Sequence, residues 1–97
     1  MAVALFTQWP AGAAETSQRV TDLINQRLVD GPPAGMIYHA EGPTAESGWW
    51  TFNVWEAEEA LRTFHRDILH PVLAEVGASR GQSQQLEVIW DSSQMHS

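Results

Sequence analysis

The segment Trp49–Trp55 constrains the fold of this chain more than any other. Side chains of a strand point alternately to opposite faces of a sheet. Neither face of this strand suits water, because one carries Trp49, Thr51, Asn53 and Trp55 and the other carries Trp50, Phe52 and Val54. A chain of 97 residues has too few helices to cover both sides of a sheet. We therefore expect one face to be buried against a second copy, which makes the protein a homodimer.

Alternating and helical apolar patterns predict four strands and two helices. The strands cover residues 3–9, 35–40, 49–55 and 86–90, and the helices cover about 13–29 and 57–77. This order predicts an α+β, ferredoxin-like βαββαβ fold with a four-stranded antiparallel sheet and both helices on one face. Pairing of two such sheets forms a dimeric α+β barrel. We expect residues 1–97 to form a single domain, with a frayed tail from about 92 to 97.

Pro71 lies inside the second helical pattern. Proline has no backbone N–H to donate to residue 67, and it disfavours helical backbone at the residue before it. We therefore expect the helix to kink or restart at His70 and to end at Gly77.

The charge of the chain excludes several classes of partner. The net charge is −7, lysine is absent, and the five arginines are spread along the sequence. Nucleic acids and anionic membranes need clustered basic residues, so we expect neither as a partner. A neutral or weakly acidic small molecule fits this charge better. Because the chain has no cysteine, disulfides, thiolate metal sites and cysteine nucleophiles are excluded as well.

The sequence shows no signal for export or membrane insertion. No apolar run approaches the ~18 to 20 residues that span a bilayer, and the start MAVALF has no basic segment followed by a cleavage site. The expected location is the cytoplasm.

Motifs for metals and cofactors are missing from the chain. On a straight helix His65 and His70 would be about 140° apart, and no HExxH or carboxylate cluster appears. The glycine-rich patterns of nucleotide sites and the GxSxG of hydrolases do not occur either. We therefore predict no metal and no bound cofactor.

Three histidines are the candidate general bases, because histidine has an ordinary pKa near neutrality. On a straight helix His65 flanks the apolar stripe and His70 points away from it, but the break at Pro71 disturbs that projection. The two rank equally, and each is as well explained as a surface or helix-end histidine near Asp67. His39 lies in the middle of a strand, where a core or interface role is favoured over that of a base.

Substrate contacts are expected from aromatic residues and one amide. The candidates are Tyr38, Trp50, Phe52, Asn53, Trp55 and Phe64. Each aromatic residue alone is better explained as core or dimer interface, but a pocket between sheet and helices must touch some of them. Asn53 lies in an apolar strand and needs a buried partner, either a substrate oxygen or the neighbouring backbone.

Three segments carry a family resemblance: LFTQWPAG before the first helix, PPAGMIYHAEGP in the second strand, and VWEAEEALRTF from the third strand into the second helix. They resemble the small bacterial antibiotic biosynthesis monooxygenase-like proteins of the dimeric α+β barrel superfamily. The resemblance covers nearly the whole chain and implies the barrel fold. Oxygenases, haem-degrading enzymes, isomerases, polyketide cyclases and members without known activity share this fold, so it does not fix the activity.

Two branches of the superfamily have site residues that can be sought in this chain. The haem-degrading relatives use an Asn on the first strand and a Trp and a His on the second helix. Phe64 and Ala74 stand at those helix positions and no Asn precedes Asn25, so the resemblance does not imply haem degradation. The polyketide cyclases use a Tyr and a His on the same helix, where this chain has Phe64 and His70. A hydroxyl would then have to come from Tyr38.

Three functions follow from the resemblance and the expected pocket. The first is a cofactor-independent monooxygenase-like enzyme of secondary metabolism, in which a histidine deprotonates a phenolic or polyketide-like aromatic molecule and the anion reacts with O2. The second is a polyketide cyclase or isomerase that uses the same base without oxygen. The third is a non-catalytic dimer that binds a small molecule, or a pseudoenzyme whose pocket is filled by its own tryptophans.

Overall fold

Four strands form one antiparallel sheet in the computed structural model, which describes residues 2–89. They are β1 (Val3–Trp9), β2 (Met36–Pro43), β3 (Trp49–Trp55) and β4 (Gln82–Glu87), in the spatial order β2-β3-β1-β4. The helical elements are α1 (Ala14–Arg27), α2 (Glu58–Phe64), a π-helical turn (His65–Leu69) and α3 (His70–Val76). No helix within residues 2–89 is long and apolar enough to cross a bilayer. The predicted ferredoxin-like α+β fold is confirmed, and the second copy stays a prediction.

The predicted position of the fourth strand is wrong. We expected a strand at residues 86–90 and a loop at GASRGQSQQ, but the strand is Gln82–Glu87. β4 is an edge strand that pairs only with β1, and all of its residues are exposed. Backbone hydrogen bonds to one neighbour hold such a strand, so it needs no apolar side chains. Trp90 and the predicted tail lie outside the described residues.

The predicted break in the second helical region takes the form of a π-helical turn. The backbone N–H of His70 bonds to the carbonyl oxygen of His65, five residues before it. α3 then starts at His70 with Pro71 in its first turn, where a missing N–H removes no helical hydrogen bond. The helix ends at Gly77 as expected, with a φ of 72° that favours glycine.

Two groups of buried apolar side chains hold the helices on the sheet. They are Val3, Leu5, Trp55 and Leu61 between the sheet and α2, and Val20, Val72 and Leu73 between α1 and α3. Trp55 is 0% exposed and packs on Phe64, with ring centroids 5.3 Å apart. Because the strand residues in these groups alternate along β1 and β3, the helices cover one face of the sheet, which we call the inner face.

The opposite face of the sheet, which we call the outer face, is apolar and partly exposed. By strand alternation and register its apolar residues are Ala4, Phe6, Tyr38, Trp50, Phe52, Val54 and Leu86, and its polar residues towards β4 are Gln8, Gln82 and Gln84. Tyr38 is 56% exposed and Leu86 is 42% exposed. A single subunit therefore leaves large apolar side chains in contact with water.

Candidate functional site

A cavity of about 1440 Å³ lies between the sheet and the helices. The inner face of the sheet forms its floor, and α1 together with the second helical region forms its walls. Ligand pockets in proteins typically occupy about 300–1,000 Å³. The space is therefore large enough for a molecule with several rings.

Polar side chains cross the floor of the cavity because the strands pair in register. One row spans all four strands and consists of Glu41, Thr51, Thr7 and Ser83. The hydroxyl oxygens of Thr7 and Ser83 are hydrogen-bonded at 2.8 Å. In the neighbouring row His39 lies opposite Asn53. The floor thus offers hydrogen-bond partners at defined positions within a cavity that also has apolar walls.

His39 and Glu41, two residues apart on β2, bond to each other. Nε2 of His39 lies 3.0 Å from Oε2 of Glu41, and the hydroxyl of Thr21 on α1 donates to Oε1 of Glu41 at 2.7 Å. Burial raises the pKa of Glu41, but the hydrogen bonds from His39 and Thr21 and the charge on His39 together keep it below its ordinary value. All three residues line the cavity.

The ionised Glu41 fixes how the His39 ring can act. A carboxylate only accepts hydrogen bonds, so Nε2 of His39 carries the hydrogen that it donates. In the neutral ring Nδ1 then holds the lone pair and can take a proton. The pair is arranged as a base with a carboxylate behind it, which stabilises the imidazolium once the proton is taken.

His65 and His70 form a second group, on the helical wall. Their ring centroids are 5.2 Å apart, and both residues line the cavity together with Arg80. Burial lowers the pKa of His65 to about 4, with further lowering by His70 and Arg80. Burial and Arg80 also lower the pKa of His70. Both rings are therefore mainly neutral near neutral pH. Within residues 2–89 no group of three or more His, Cys, Asp or Glu side chains could hold a metal ion.

Asn53 is buried on the floor of the cavity, and its partner is a side chain that we did not expect. Nε1–H of Trp55 donates to Oδ1 of Asn53 at 2.6 Å. Asn53 and Phe64 both line the cavity, whereas Trp55 is fully buried and does not. Trp55 contacts both residues, through the hydrogen bond to Asn53 and through ring packing on Phe64.

Three predicted substrate contacts lie on the outer face instead of the cavity. They are Tyr38, Trp50 and Phe52, and the rings of Tyr38 and Phe52 pack with centroids 6.4 Å apart. The structure brings together His39, His65, His70, Asn53 and Phe64 around one space and separates these three from it. Their contact with substrate stays a prediction.

The sequence candidates did not include several polar side chains of the cavity, among them Thr21, Glu41, Trp49 and Arg80. Glu41 had a visible signal, since residues two apart on a strand share a face and His39 precedes it by two. The positions of Thr21 and Arg80 depend on how α1 and the loop before β4 pack, which no local pattern reveals. Trp49 has a buried Nε1–H with no hydrogen-bond partner within residues 2–89, and such a donor is costly to leave unsatisfied.

No protein-family model and no curated protein sequence matches the chain. Several solved structures do. A protein of Caulobacter crescentus assigned to the antibiotic biosynthesis monooxygenases has a TM-score of 0.71 at 12% identity, over 92% of this chain and 91% of that chain. A Chloroflexus aurantiacus protein with the same assignment has a TM-score of 0.68 at 10% identity, over 95% and 98% of the two chains. A variant of SnoaB, a cofactor-independent oxygenase from Streptomyces nogalater, has a TM-score of 0.68 at 12% identity, over 94% and 96%.

At these identities the likeness shows the fold. The chain has the fold of antibiotic biosynthesis monooxygenase-like proteins, so the resemblance stated from its sequence is confirmed at that level. Because one fold hosts many activities, the chemistry has to be argued from the cavity and its side chains.

Proposed function

We propose that this protein is a cofactor-independent monooxygenase-like enzyme that oxidises a phenolic or polyketide-like aromatic molecule of secondary metabolism. The hydrogen-bonded chain that runs from Thr21 on the α1 wall to Glu41 and His39 on the floor of a cavity of about 1440 Å³ supports this proposal. The substrate lies in this cavity, and Nδ1 of His39 takes its phenolic proton.

His39 suits the role of base better than the two helical histidines. Glu41 orients the His39 ring through Nε2 and balances the charge that the ring gains. A general base works best when its pKa lies near the working pH, and a pKa of about 4 makes His65 a weak proton acceptor. The pKa of His70 is lowered as well. These two residues serve as neutral hydrogen-bonding groups.

Deprotonation makes the aromatic ring electron-rich enough to react directly with O2. A C–O bond forms at a ring carbon conjugated with the phenolate, and the resulting peroxide takes the proton held by His39. That carbon then loses its C–H proton as the O–O bond breaks, and the departing hydroxide and this proton give water. One phenol and one O2 thus give one quinone and one water, and the substrate supplies all the electrons. Apolar side chains in the cavity, among them Leu61 and Phe64, keep water away from the anion.

The structural comparison supports the class of reaction without specifying the substrate. SnoaB is described as a cofactor-independent oxygenase, and its variant shares the fold of this chain over 94% of its length. A cavity between sheet and helices, bordered by an imidazole with a carboxylate behind it, supplies a space and a base for such chemistry.

Oxygen uptake with a dihydroxynaphthalene as probe tests the proposal. The wild type should consume one O2 for each quinone formed, without added flavin, nicotinamide or metal. His39→Gln should lower the rate by about 100-fold or more, because the base is removed. Circular dichroism establishes that the variant is folded. Equal rates in both proteins would contradict the assignment of His39, and no uptake by the wild type would contradict the oxygenase.

A polyketide cyclase or isomerase is the second candidate, and the same pair of His39 and Glu41 favours it. A base that takes a proton from a phenol can also take one from a carbon between two carbonyl groups. Turnover of a β-keto substrate under nitrogen would identify this activity. Ligand binding without any product would instead support the non-catalytic alternative.

The proposal includes a homodimer formed through the outer face. Phe6 and Phe52 are cross-strand partners at the centre of that face, and Tyr38 and Leu86 lie partly exposed towards its edges. Exposed apolar surface of this extent is typical of an interface. A second copy would cover it with the same surface, as a two-fold interface does.

A further inference from the structure

Arginines are concentrated around the cavity, although the chain as a whole is acidic. The net charge is −7, yet three of the five arginines and only one acidic residue line the cavity: Arg62, Arg66, Arg80 and Glu41. Glu41 is already engaged by His39 and Thr21. Arginines therefore outnumber carboxylates in the cavity lining of an acidic protein, and an unpaired arginine there favours an anionic ligand.

Arg80 is the arginine that can bind such a ligand. Arg62 pairs with Glu58 at 2.6 Å and Arg66 pairs with Asp67 at 2.7 Å, so both are already matched. No ion pair of Arg80 occurs within residues 2–89. A guanidinium has five N–H donors and bonds well to the two oxygens of a carboxylate.

The backbone on both sides of Arg80 is held in place. The carbonyl oxygen of Ser79 accepts a hydrogen bond from Nε1 of Trp9 at 2.9 Å. Gly81 has a φ of 73°, and a Cβ there would lie 2.8 Å from the carbonyl oxygen of Gln8 and 2.9 Å from the Trp9 ring. The loop thus packs directly on the end of β1, and this packing fixes the position of the Arg80 backbone.

Further hydrogen-bond donors lie at the same end of the cavity. Trp49 is the cross-strand partner of Trp9, and its buried Nε1–H has no acceptor within residues 2–89. The imidazoles of His65 and His70 line the same cavity, and Arg80 is close enough to lower the pKa of both. Four side chains around this end can donate hydrogen bonds, and none of them is acidic.

We propose that Arg80, His65, His70 and Trp49 form an anion subsite that binds an acidic group of the substrate, most simply a carboxylate. This inference rests on the proposed function, and it specifies the substrate as an aromatic acid. The acidic group is held at one end while the phenolic group reaches His39.

The sheet sets the length of such a substrate. His39 is on β2 at one edge of the sheet, and Arg80 immediately precedes β4 at the other edge. Neighbouring strands lie about 4.8 Å apart, so three spacings separate the edges by roughly 14 Å. A molecule that contacts both ends is therefore elongated, with its acidic and phenolic groups far apart.

Calorimetric titration with naphthoate and with naphthamide tests the anion subsite. The two probes share their rings, but only naphthoate carries a negative charge at neutral pH. Naphthoate should bind about tenfold more tightly than naphthamide at low salt, and the preference should shrink as salt is added. Arg80→Gln should remove this preference, because it should weaken the binding of naphthoate much more than that of naphthamide.

Arg19→Gln is the matched control, because it removes the same charge from an exposed residue of α1 that does not line the cavity. It should keep the preference for naphthoate. Equal affinities of the two probes in the wild type, no binding of naphthoate, or an equal loss in both variants would overturn the subsite. These outcomes are distinct from failure of the proposed function, because binding is measured without turnover. Oxygen uptake by a protein without the preference would contradict the subsite alone.

Discussion

His65 and His70 lie with their ring centroids 5.2 Å apart, although they are five positions apart along a helical region. In a straight α-helix residues at this spacing point about 140° apart. In the π-helical turn the backbone N–H of His70 donates a hydrogen bond to the carbonyl oxygen of His65. The two residues therefore lie about one turn apart on the same side of the helical region. An irregular turn followed by Pro71 thus directs two imidazoles into one cavity.

Acid should destabilise the folded protein through His65. The pKa of His65 is about 4 in the folded protein against an ordinary value of 6.5. Between these pH values His65 is therefore protonated in the unfolded chain and neutral in the folded chain. Its contribution to stability is complete above pH 6.5 and is lost as the pH falls towards 4. His65→Gln removes this titration. The fall in Tm between about pH 7 and about pH 4.5 should therefore be smaller in the variant, and equal falls would contradict the burial of a neutral ring.

Glu41 and Thr21 should act on catalysis by positioning His39. Glu41→Gln replaces the anionic acceptor, so kcat should fall by about 10- to 100-fold while KM changes little. Thr21→Val removes one hydrogen bond to Glu41 and should have a smaller effect in the same direction. Glu75→Gln is the control, because Glu75 pairs with Arg27 and does not line the cavity. If Glu41→Gln behaves like this control, His39 does not depend on the carboxylate.

Trp55→Ala should be strongly destabilising. Trp55 is 0% exposed and donates a hydrogen bond to Asn53, so its loss leaves a cavity and an unsatisfied amide oxygen. The free energy of unfolding should fall by about 3 to 5 kcal/mol. Val29→Ala, at a residue that is 82% exposed, should change it by less than about 0.5 kcal/mol. Urea unfolding measures both, and similar values for the two variants would show that Trp55 is not part of the core.

A charge on the outer face should separate the two copies. The wild type should sediment as a dimer at micromolar concentration, and Leu86→Asp should sediment as a folded monomer, because the aspartate would be buried in the interface. Val29→Asp also replaces an exposed apolar residue, but it lies outside the outer face and should remain a dimer. If the wild type is a stable monomer, the proposed homodimer is wrong. The outer face would then not need a second copy to cover it.

The fold was predictable where a local period carries the information. The side chains of β3 alternate between the two faces of the sheet over its full predicted length, and each helix shows one apolar stripe. The order of elements was therefore evident from the sequence. β4 was misplaced because Gln82–Glu87 is polar and is held by backbone pairing with β1, which leaves no periodic signal.

The site was less predictable because it depends on register. A β-bulge between Met36 and Tyr38 shifts the pairing of β2 with β3, so both Met36 and His39 face the cavity although one has an even number and the other an odd one. Counting along the strand could not assign His39 to a face for that reason. The proximity of His65 and His70 likewise depends on the hydrogen bond of one π-helical turn.

Turnover of a dihydroxynaphthalene under isotopically labelled oxygen gas, with the product analysed by mass spectrometry, tests the proposed oxygenase reaction most directly. We expect one labelled oxygen atom per product molecule in the wild type, without any added cofactor, and almost no product from His39→Gln. Product that forms equally fast under nitrogen, or undiminished label in the His39→Gln reaction, would contradict the proposed reaction.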